Sequence, residues 1–145
     1  MYSEEAKLGA STKQISGKIN QLRSKPTQDI ERDLRDGYGA KTFVPVGDLD
    51  RPFTPSELRD FARERYVFLG NHTVDHPPLT NCSLGDTRRQ ILEAQDQIRE
   101  LTGITPISIA YPYGCYSQDV IQISRTAGLK IGFVKSGLEV RANPE

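Results

Sequence analysis

The stretch that decides the fold of this chain is residues 66–77, which read YVFLGNHTVDHP. The apolar run at residues 66–69 predicts a buried strand, and it leads directly into a loop with the only two histidines of the chain, His72 and His76. Neutral imidazole is the commonest protein ligand for a metal, and this spacing brings two rings to one ion. Two ligands alone do not make a site, so the pattern predicts either a metal site after a strand or two loop histidines that solvate and cap the turn.

Strands and helices alternate on both sides of this loop. Upstream, Thr54-Pro55-Ser56-Glu57 combines an N-cap threonine, a proline at the first helical position and a capping-box glutamate, which predicts a helix. Downstream, the apolar spacing and the cap residues predict, in order, a long helix over 83–103, a strand over 106–111, a helix over 117–127 and a strand over 130–134. This alternation predicts an α/β protein with a parallel sheet or barrel.

The first fifty or so residues have a different pattern. Residues 1–25 are polar with one short apolar helical stripe, and residues 28–36 predict a second short helix. The turn-rich residues after it include 42–46, which are compatible with a brief strand. We therefore divide the chain into a helical or irregular segment, residues 1–53, and an α/β part, residues 54–145, whose polar end is expected to fray.

Composition limits the classes of partner. The 145 residues suit one domain, and 19 Lys+Arg against 19 Asp+Glu argue against nucleic acid and a membrane surface as partners. No apolar run approaches the roughly 20 residues of a membrane span and no secretory signal pattern opens the sequence, which predicts a cytoplasmic protein. Two cysteines form neither a disulfide framework nor a zinc knuckle, so all-protein zinc coordination would need a carboxylate.

Two turns follow predicted parallel strands, the histidine loop and Pro112-Tyr113-Gly114, and the ends of such strands lie on one edge of a sheet. We therefore expect the two turns to be neighbours.

In these turns the chain resembles a known family, because GNHTVDHP at 70–77 and AYPYG at 110–114 are similar to motifs of the polysaccharide deacetylases of the NodB-homology type. The family motif His-Ser/Thr-x-x-His is matched by His72, Thr73 and His76. The resemblance extends from about residue 54 to residue 137.

The resemblance implies a distorted (β/α) barrel that holds one divalent metal, usually zinc, through two histidines and an aspartate, and that removes acetyl groups from acetylated sugars. His72 and His76 would be the metal ligands, and Thr73 and Asn71 would support the loop. The backbone N–H of Tyr113 would contact the oxyanion, while Pro112 and Gly114 would shape a substrate-binding turn. This set is chemically coherent, because a metal with an open coordination position activates water and polarises the acetyl carbonyl.

The chain also departs from the family pattern. The family's first motif, Thr-Phe-Asp-Asp-Gly, supplies a catalytic base and the third metal ligand, yet this sequence has no Asp-Asp pair. The nearest imitation, Asp36-Gly37-Tyr38, ends a charged helical stretch and is interpreted as a coincidence, and Asp48 and Asp50 in a turn are possible substitutes. There is no tryptophan for a later motif and no third histidine for the last one. These departures indicate a partial barrel in which residues 1–53 resemble a helical insertion, or in which residues 38–45 correspond to the second strand. Such a sheet has open edges through which copies could self-associate.

Three hypotheses follow from the sequence. The first is a metal-dependent deacetylase of acetylated carbohydrate, as a truncated or divergent chain. The second is a catalytically inactive carbohydrate-binding, metal-binding or regulatory module with the same fold, because the base and acid of the family are missing. The third is a fragment that folds poorly alone.

Overall fold

The computed structural model describes residues 11–23, 25, 27–135 and 141–142, and it divides the chain into two compact units, residues 1–44 and 45–145. The first unit contains helix α1 (Thr12–Arg23), helix α2 (Thr27–Tyr38) and a short 3-10 helix (Ala40–Phe43). The two predicted N-terminal helices are thus confirmed over the described residues. The proposed boundary at residues 53 and 54 stays a prediction.

The brief strand predicted over residues 42–46 is wrong. Gly39, at φ 78°, follows α2 and the chain turns at once into the 3-10 helix. The Val44 N–H then donates to the Lys41 carbonyl at 3.1 Å. These local bonds occupy backbone groups that a strand would need for a neighbouring strand, so the segment stays coiled.

The second unit begins with the predicted capped helix, α3 (Pro55–Phe61). The Thr54 side chain accepts from the Glu57 N–H, and the Glu57 carboxylate accepts from the Thr54 N–H at 2.8 Å, so the capping box forms as predicted. The guanidinium of Arg51 adds two bonds to the same carboxylate, at 2.7 and 2.8 Å. The two capping-box bonds satisfy N–H groups at the helix start that no helical carbonyl can reach, and Arg51 holds the Glu57 carboxylate in place.

The parallel strands of the second unit belong to a βα unit. Helix α4 (Leu84–Thr102) precedes strand β1 (Ser108–Ala110), and helix α5 (Gln118–Thr126) connects β1 to the parallel strand β2 (Ile131–Phe133). Ser83 and Ser117 cap the two helices, and Gly103, at φ 78°, ends α4 in the left-handed conformation, as predicted. The predicted parallel α/β arrangement is therefore confirmed.

The core lies between the sheet and helices α4 and α5. Its buried apolar side chains come from both helices, from β1 and from the loops beside them: Leu79, Ile91, Ile109, Tyr111, Val120 and Leu129. The predicted apolar stripe of α4 is confirmed at Ile91 and Ala94, which are buried, whereas Leu101, at the end of the helix, is exposed. Burial of these side chains away from water is the main stabilising contribution to this unit.

The buried strand predicted over residues 66–69 is wrong. The side chains of Tyr66 and Phe68 are 79% and 91% exposed, and the Val67 N–H bonds back to the Glu64 carbonyl in a turn. Pairing with β1 begins only at Asn71, through an isolated parallel bridge to Ile109. The residues before that bridge lack a ladder partner among the described residues, so Tyr66 and Phe68 stay in solvent while Val67 and Leu69 are only half-buried.

The polar C-terminal end also differs from expectation. Arg141–Ala142 form strand β3, which pairs antiparallel with Ile131 and Gly132 of β2, so the sheet order is β1-β2-β3. The expected frayed end is residues 137–145, of which 137–140 and 143–145 lie outside the described residues. No helix among the described residues combines the length and apolar character that crossing a membrane requires.

Candidate active site

The histidine loop, residues 71–76, starts at the edge of the sheet. The Asn71 N–H donates to the Ser108 carbonyl at 2.8 Å, and the Asn71 carbonyl accepts from the Ala110 N–H at 2.9 Å. These two bonds align the start of the loop with β1, which itself runs into the turn Pro112–Gly114. The two turns therefore leave the sheet at the same edge, as the parallel arrangement predicts.

The side chain of Asn71 ties the loop to helix α4. It is 1% exposed, its amide donates to the Ile91 carbonyl at 2.8 Å, and its Oδ1 accepts from the Thr73 N–H at 2.9 Å. A buried carboxamide is costly unless its groups are paired, and here both ends are used. Asn71 therefore shapes the loop from within the fold.

Gln90 of α4 holds the other half of the loop, and sequence reasoning missed it. Its Oε1 accepts from the N–H groups of Val74 (3.1 Å) and Asp75 (2.9 Å), and its Nε2 donates to Asp75 Oδ2 at 2.6 Å. The signal in the sequence was present but weak: Gln90 directly precedes Ile91 of the apolar stripe, so it lies at the buried margin of α4. A polar residue at that margin needs a partner, but the sequence does not say which one.

The two imidazoles lie side by side. The ring centroids of His72 and His76 are 4.6 Å apart with the planes at 70°. His72 Nδ1 is 2.7 Å from the Ala110 carbonyl oxygen. Because a carbonyl can only accept, Nδ1 carries the proton in this contact, and in the neutral ring Nε2 is then the nitrogen with a lone pair. A histidine oriented through its other nitrogen in this way is the usual form of a metal ligand.

The Pro112–Gly114 turn completes the cluster. The rings of His76 and Tyr113 are 4.7 Å apart, edge to face. A Cβ on Gly114, at φ 73°, would lie 3.0 Å from the Lys135 nitrogen, so the chain after β2 packs closely against this glycine. The N–H groups of Gly114 and Cys115 donate back to the carbonyls of Tyr111 and Pro112, which closes the turn.

Backbone strain is concentrated in these two turns. Among the described residues, positive φ values at residues other than glycine occur at Thr73 (66°), His76 (55°) and Tyr113 (58°). A β-branched threonine in this conformation is a genuine outlier, and each such residue costs of order 1–3 kcal/mol. Strain of this kind persists only where surrounding contacts enforce it, and it is typical of functional sites.

The donor set fits part of a metal site. Two imidazoles bound to one tetrahedral ion at about 2.0–2.1 Å have ring centroids roughly 5 Å apart, close to the spacing of His72 and His76. Among the described residues, however, no group of three or more His, Cys, Asp or Glu side chains is arranged to hold a metal. The pair therefore fits two ligands, and the part of the chain that the structure describes supplies no third.

The substitute aspartates serve other purposes. The Asp50 carboxylate accepts from the N–H groups of Val46 and Gly47, both at 2.9 Å, and these bonds lower the pKa of that carboxyl. Asp48 accepts from Arg51 at 2.9 Å. Asp75, between the two histidines, is exposed and pairs with Gln90. These contacts explain why Asp48 and Asp50 shape their own turn instead of joining the histidine pair.

Comparison with known proteins identifies the family of this chain. A model of the family described as polysaccharide deacetylase matches residues 18–132, most of the chain. The chain belongs to the polysaccharide deacetylase family. The match begins well before the histidine loop, so it includes residues of the helical first unit.

Relatives by sequence are deacetylases. The chitooligosaccharide deacetylase of Sinorhizobium fredii is 42% identical over 89 residues, which are 61% of this chain and 40% of that protein. The peptidoglycan-N-acetylmuramic acid deacetylase PdaC of Bacillus subtilis is 31% identical over 88 residues, 61% of this chain and 18% of that protein. The chain thus spans two fifths or less of the length of these two curated relatives.

Solved structures show the same fold. The Streptococcus pyogenes deacetylase PplD, in complex with acetate, superimposes with a TM-score of 0.55 and 24% identity over 59% of this chain and 38% of that one. The deacetylase domain of BpsB from Bordetella bronchiseptica gives a TM-score of 0.53 and 22% identity over 63% and 49%. The described α/β unit is therefore a partial fold of the polysaccharide deacetylase type.

Proposed function

We propose that this chain carries part of the active site of a metal-dependent deacetylase, which removes acetyl groups from acetylated sugars or amino sugars. The observation that carries the proposal is the meeting of two strained turns at one sheet edge, where His76 contacts both His72 and Tyr113. The names of the relatives, which include chitooligosaccharide and peptidoglycan deacetylases, support acetylated carbohydrate as the substrate class. They favour a deacetylase over the inactive binding module.

In this proposal His72 and His76 are ligands of a divalent metal, with Zn²⁺ as the leading candidate. The contact of His72 Nδ1 with the Ala110 carbonyl orients that ring and leaves Nε2 to ligate. Neutral imidazoles suit zinc, and such an ion supplies Lewis acidity and a lowered pKa of bound water. The Asp-Asp pair of the family has no counterpart in the sequence, so no side chain of this chain is assigned as the base.

The turn after β1 serves the substrate. Pro112, Tyr113 and Gly114 form the turn that brings the Tyr113 ring beside His76, and the backbone N–H of Tyr113 is assigned to the oxyanion of the acetyl group. Thr73 and Asn71 hold the loop in place, since Thr73 Oγ1 accepts from the His76 N–H at 3.0 Å. Preorganised donors of this type stabilise negative charge that develops on the carbonyl oxygen.

Metal binding is tested by calorimetric titration of Zn²⁺ into the purified chain and into His72→Ala and His76→Ala. Each substitution removes a ligand, so we expect a larger loss of affinity than the about 10–100-fold typical of partners behind the ligands. Thr80→Ala, at an exposed residue just after the loop, is the matched control and should bind like the wild type. Wild-type protein that binds no Zn²⁺, or His72→Ala that binds it equally well, would refute the metal assignment.

The reaction is tested separately by acetate release. N-acetylated chitooligosaccharide and acetylated xylan are incubated with the Zn²⁺-loaded chain, and acetate is quantified. Release that His72→Ala abolishes supports a deacetylase. Zn²⁺ binding without acetate release from any acetylated sugar would favour the binding module instead.

A further inference from the structure

The four backbone N–H groups of residues 73–76 are all bound by side-chain oxygens. Thr73 donates to Asn71 Oδ1, His76 donates to Thr73 Oγ1, and the two N–H groups between them both donate to Gln90 Oε1. Two of these acceptors belong to the loop itself. Gln90 is the acceptor that comes from outside it, from the middle of helix α4.

Gln90 is suited to this role by its chemistry. Gln90 is only 3% exposed. Its carboxamide accepts two N–H bonds and also donates to Asp75 Oδ2. A carboxylate at the same place accepts but cannot donate, and an apolar side chain does neither. Loss of the carboxamide would leave two half-buried N–H groups without that acceptor, which is unfavourable.

We propose that Gln90 is the positioning residue of the histidine pair. It binds the N–H groups of Val74 and Asp75, the two residues that immediately precede His76, and the ring of His76 then lies 4.6 Å from that of His72. Helix α4 thereby sets the spacing of the two imidazoles, although no atom of Gln90 is assigned to metal or substrate. The role of this spacing in metal binding rests on the proposed function. The spacing between the two imidazoles does not depend on it.

The direct test is the NMR spectrum of the imidazoles, because the chain has only two histidines and each ring is assigned by one substitution. In Gln90→Ala we expect both ring resonances to shift and the cross-relaxation between the rings to be lost. The matched control is Gln95→Ala on the same helix. Gln95, five residues further along α4, is also buried and donates to the Ala127 carbonyl at 3.1 Å instead of to the loop. The control should lose stability but keep the wild-type imidazole signals.

A pair of variants that exchanges the donor and acceptor roles of residues 90 and 75 separates an effect on the position of the imidazoles from an effect on folding. Gln90→Glu places a carboxylate against that of Asp75, and the repulsion should displace the loop. When Gln90→Glu is combined with Asp75→Asn, the new amide at position 75 can donate to the new carboxylate at position 90, so a hydrogen bond is restored with its direction reversed. We expect the double variant to recover the wild-type imidazole signals even if Gln90→Ala does not fold. Wild-type signals in folded Gln90→Ala, equal shifts in Gln95→Ala, or no recovery in the double variant would each overturn the proposal.

Zn²⁺ titration of the same variants links the two proposals. If the wild type binds Zn²⁺, Gln90→Ala should bind it about 10–100-fold more weakly, as is typical when a partner behind a ligand is removed. If the wild type binds no Zn²⁺ while Gln90→Ala still shifts both imidazoles, the metal assignment fails and the positioning role of Gln90 stands.

Discussion

Residues 66–70 and residues 71–76 follow one another directly, yet the structure holds them by different means. The first segment is the more apolar, but the side chains of Tyr66 and Phe68 are largely in solvent. The second is polar, and its backbone is bound by Asn71 and Gln90, both of which are buried. The polar half of the stretch is therefore the better fixed of the two.

The difference teaches where the geometry of the site comes from. The apolar segment reaches β1 only at its end, where Gly70 lies so close to Ser108 that a Cβ would be 2.9 Å from its hydroxyl. The loop, in contrast, is anchored to β1 by backbone bonds and to α4 by carboxamides. The histidine pair depends on directional bonds that substitutions can remove one at a time.

The largest effect is expected for Asn71→Ala compared with Phe68→Ala. Removal of the Asn71 carboxamide takes a bond from the Ile91 carbonyl and another from the Thr73 N–H in a buried place. We expect the free energy of unfolding to fall by about 2–4 kcal/mol. Phe68→Ala, at an exposed side chain, should change it by no more than about 0.5 kcal/mol.

Urea denaturation of both variants beside the wild type measures this contrast. The unchanged slope of each curve serves as the check that both variants unfold as the wild type does. A loss in Phe68→Ala as large as that in Asn71→Ala would mean that the apolar segment contributes as much to the stability of this edge as the loop does.

The fold of the second unit was largely predictable because its signals are local. Cap residues at Thr54, Ser83 and Ser117 and the glycine at 103 set helix ends through bonds within a few residues, and the structure confirms each of them. The strand predicted over 66–69 failed because an apolar run reports the tendency to be buried, while burial requires a neighbouring strand. The same reason applies to residues 42–46, where local turn bonds prevail.

The candidate site was predictable in its composition but not in its supports. The spacing of His72 and His76 and the turn at Tyr113 are visible in the sequence, and parallel topology brings them together. Gln90 and the Ala110 carbonyl are not visible in this way, because their partners are 15 to 38 residues distant and depend on how α4 and β1 pack. The positive φ values at Thr73 and His76 are likewise not visible in the sequence.

A smaller effect is expected when a methyl group is added at Gly114 and at Gly70. Gly114 has φ 73° and would bring its Cβ within 3.0 Å of the Lys135 backbone, so Gly114→Ala should cost about 1–3 kcal/mol. At Gly70 the new Cβ meets the Ser108 hydroxyl, a side-chain atom that can rotate away, so Gly70→Ala should cost about 0.5–1.5 kcal/mol.

Thermal unfolding by circular dichroism ranks these two variants, and the imidazole signals of His76 report the turn itself. Gly114→Ala should shift them through Tyr113, whereas Gly70→Ala should leave them close to the wild type. The reverse ranking would show that the Ser108 hydroxyl cannot rotate away and that the approach of Gly70 to β1 is the less tolerant of the two contacts.

The smallest effect is expected from the ion pair that lies upstream of the apolar segment, at the start of α3. The Arg51 guanidinium, followed by the N–H and hydroxyl of Thr54, holds the pKa of Glu57 well below its usual value of 4.5. A lowered pKa contributes stability that is present above the usual value and is lost as the pH falls from there toward the folded-state pKa. Because the network is on the surface, its contribution should be small and should weaken in salt.

Glu57→Gln should therefore lower Tm at pH 7 and reduce the steepness of its fall below about pH 4.5, so that the two curves converge in acid. Glu64→Gln, at an exposed glutamate outside the network, is the control and should parallel the wild type. Asn71→Ala should instead lower Tm by a similar amount at every pH, because its bonds join neutral groups. Parallel curves for Glu57→Gln and the wild type would show that the ion pair does not contribute to stability. The pH dependence of Tm would then be the same for Glu57→Gln, which removes a charged partner at the start of α3, and for Asn71→Ala, which removes neutral hydrogen bonds of the histidine loop.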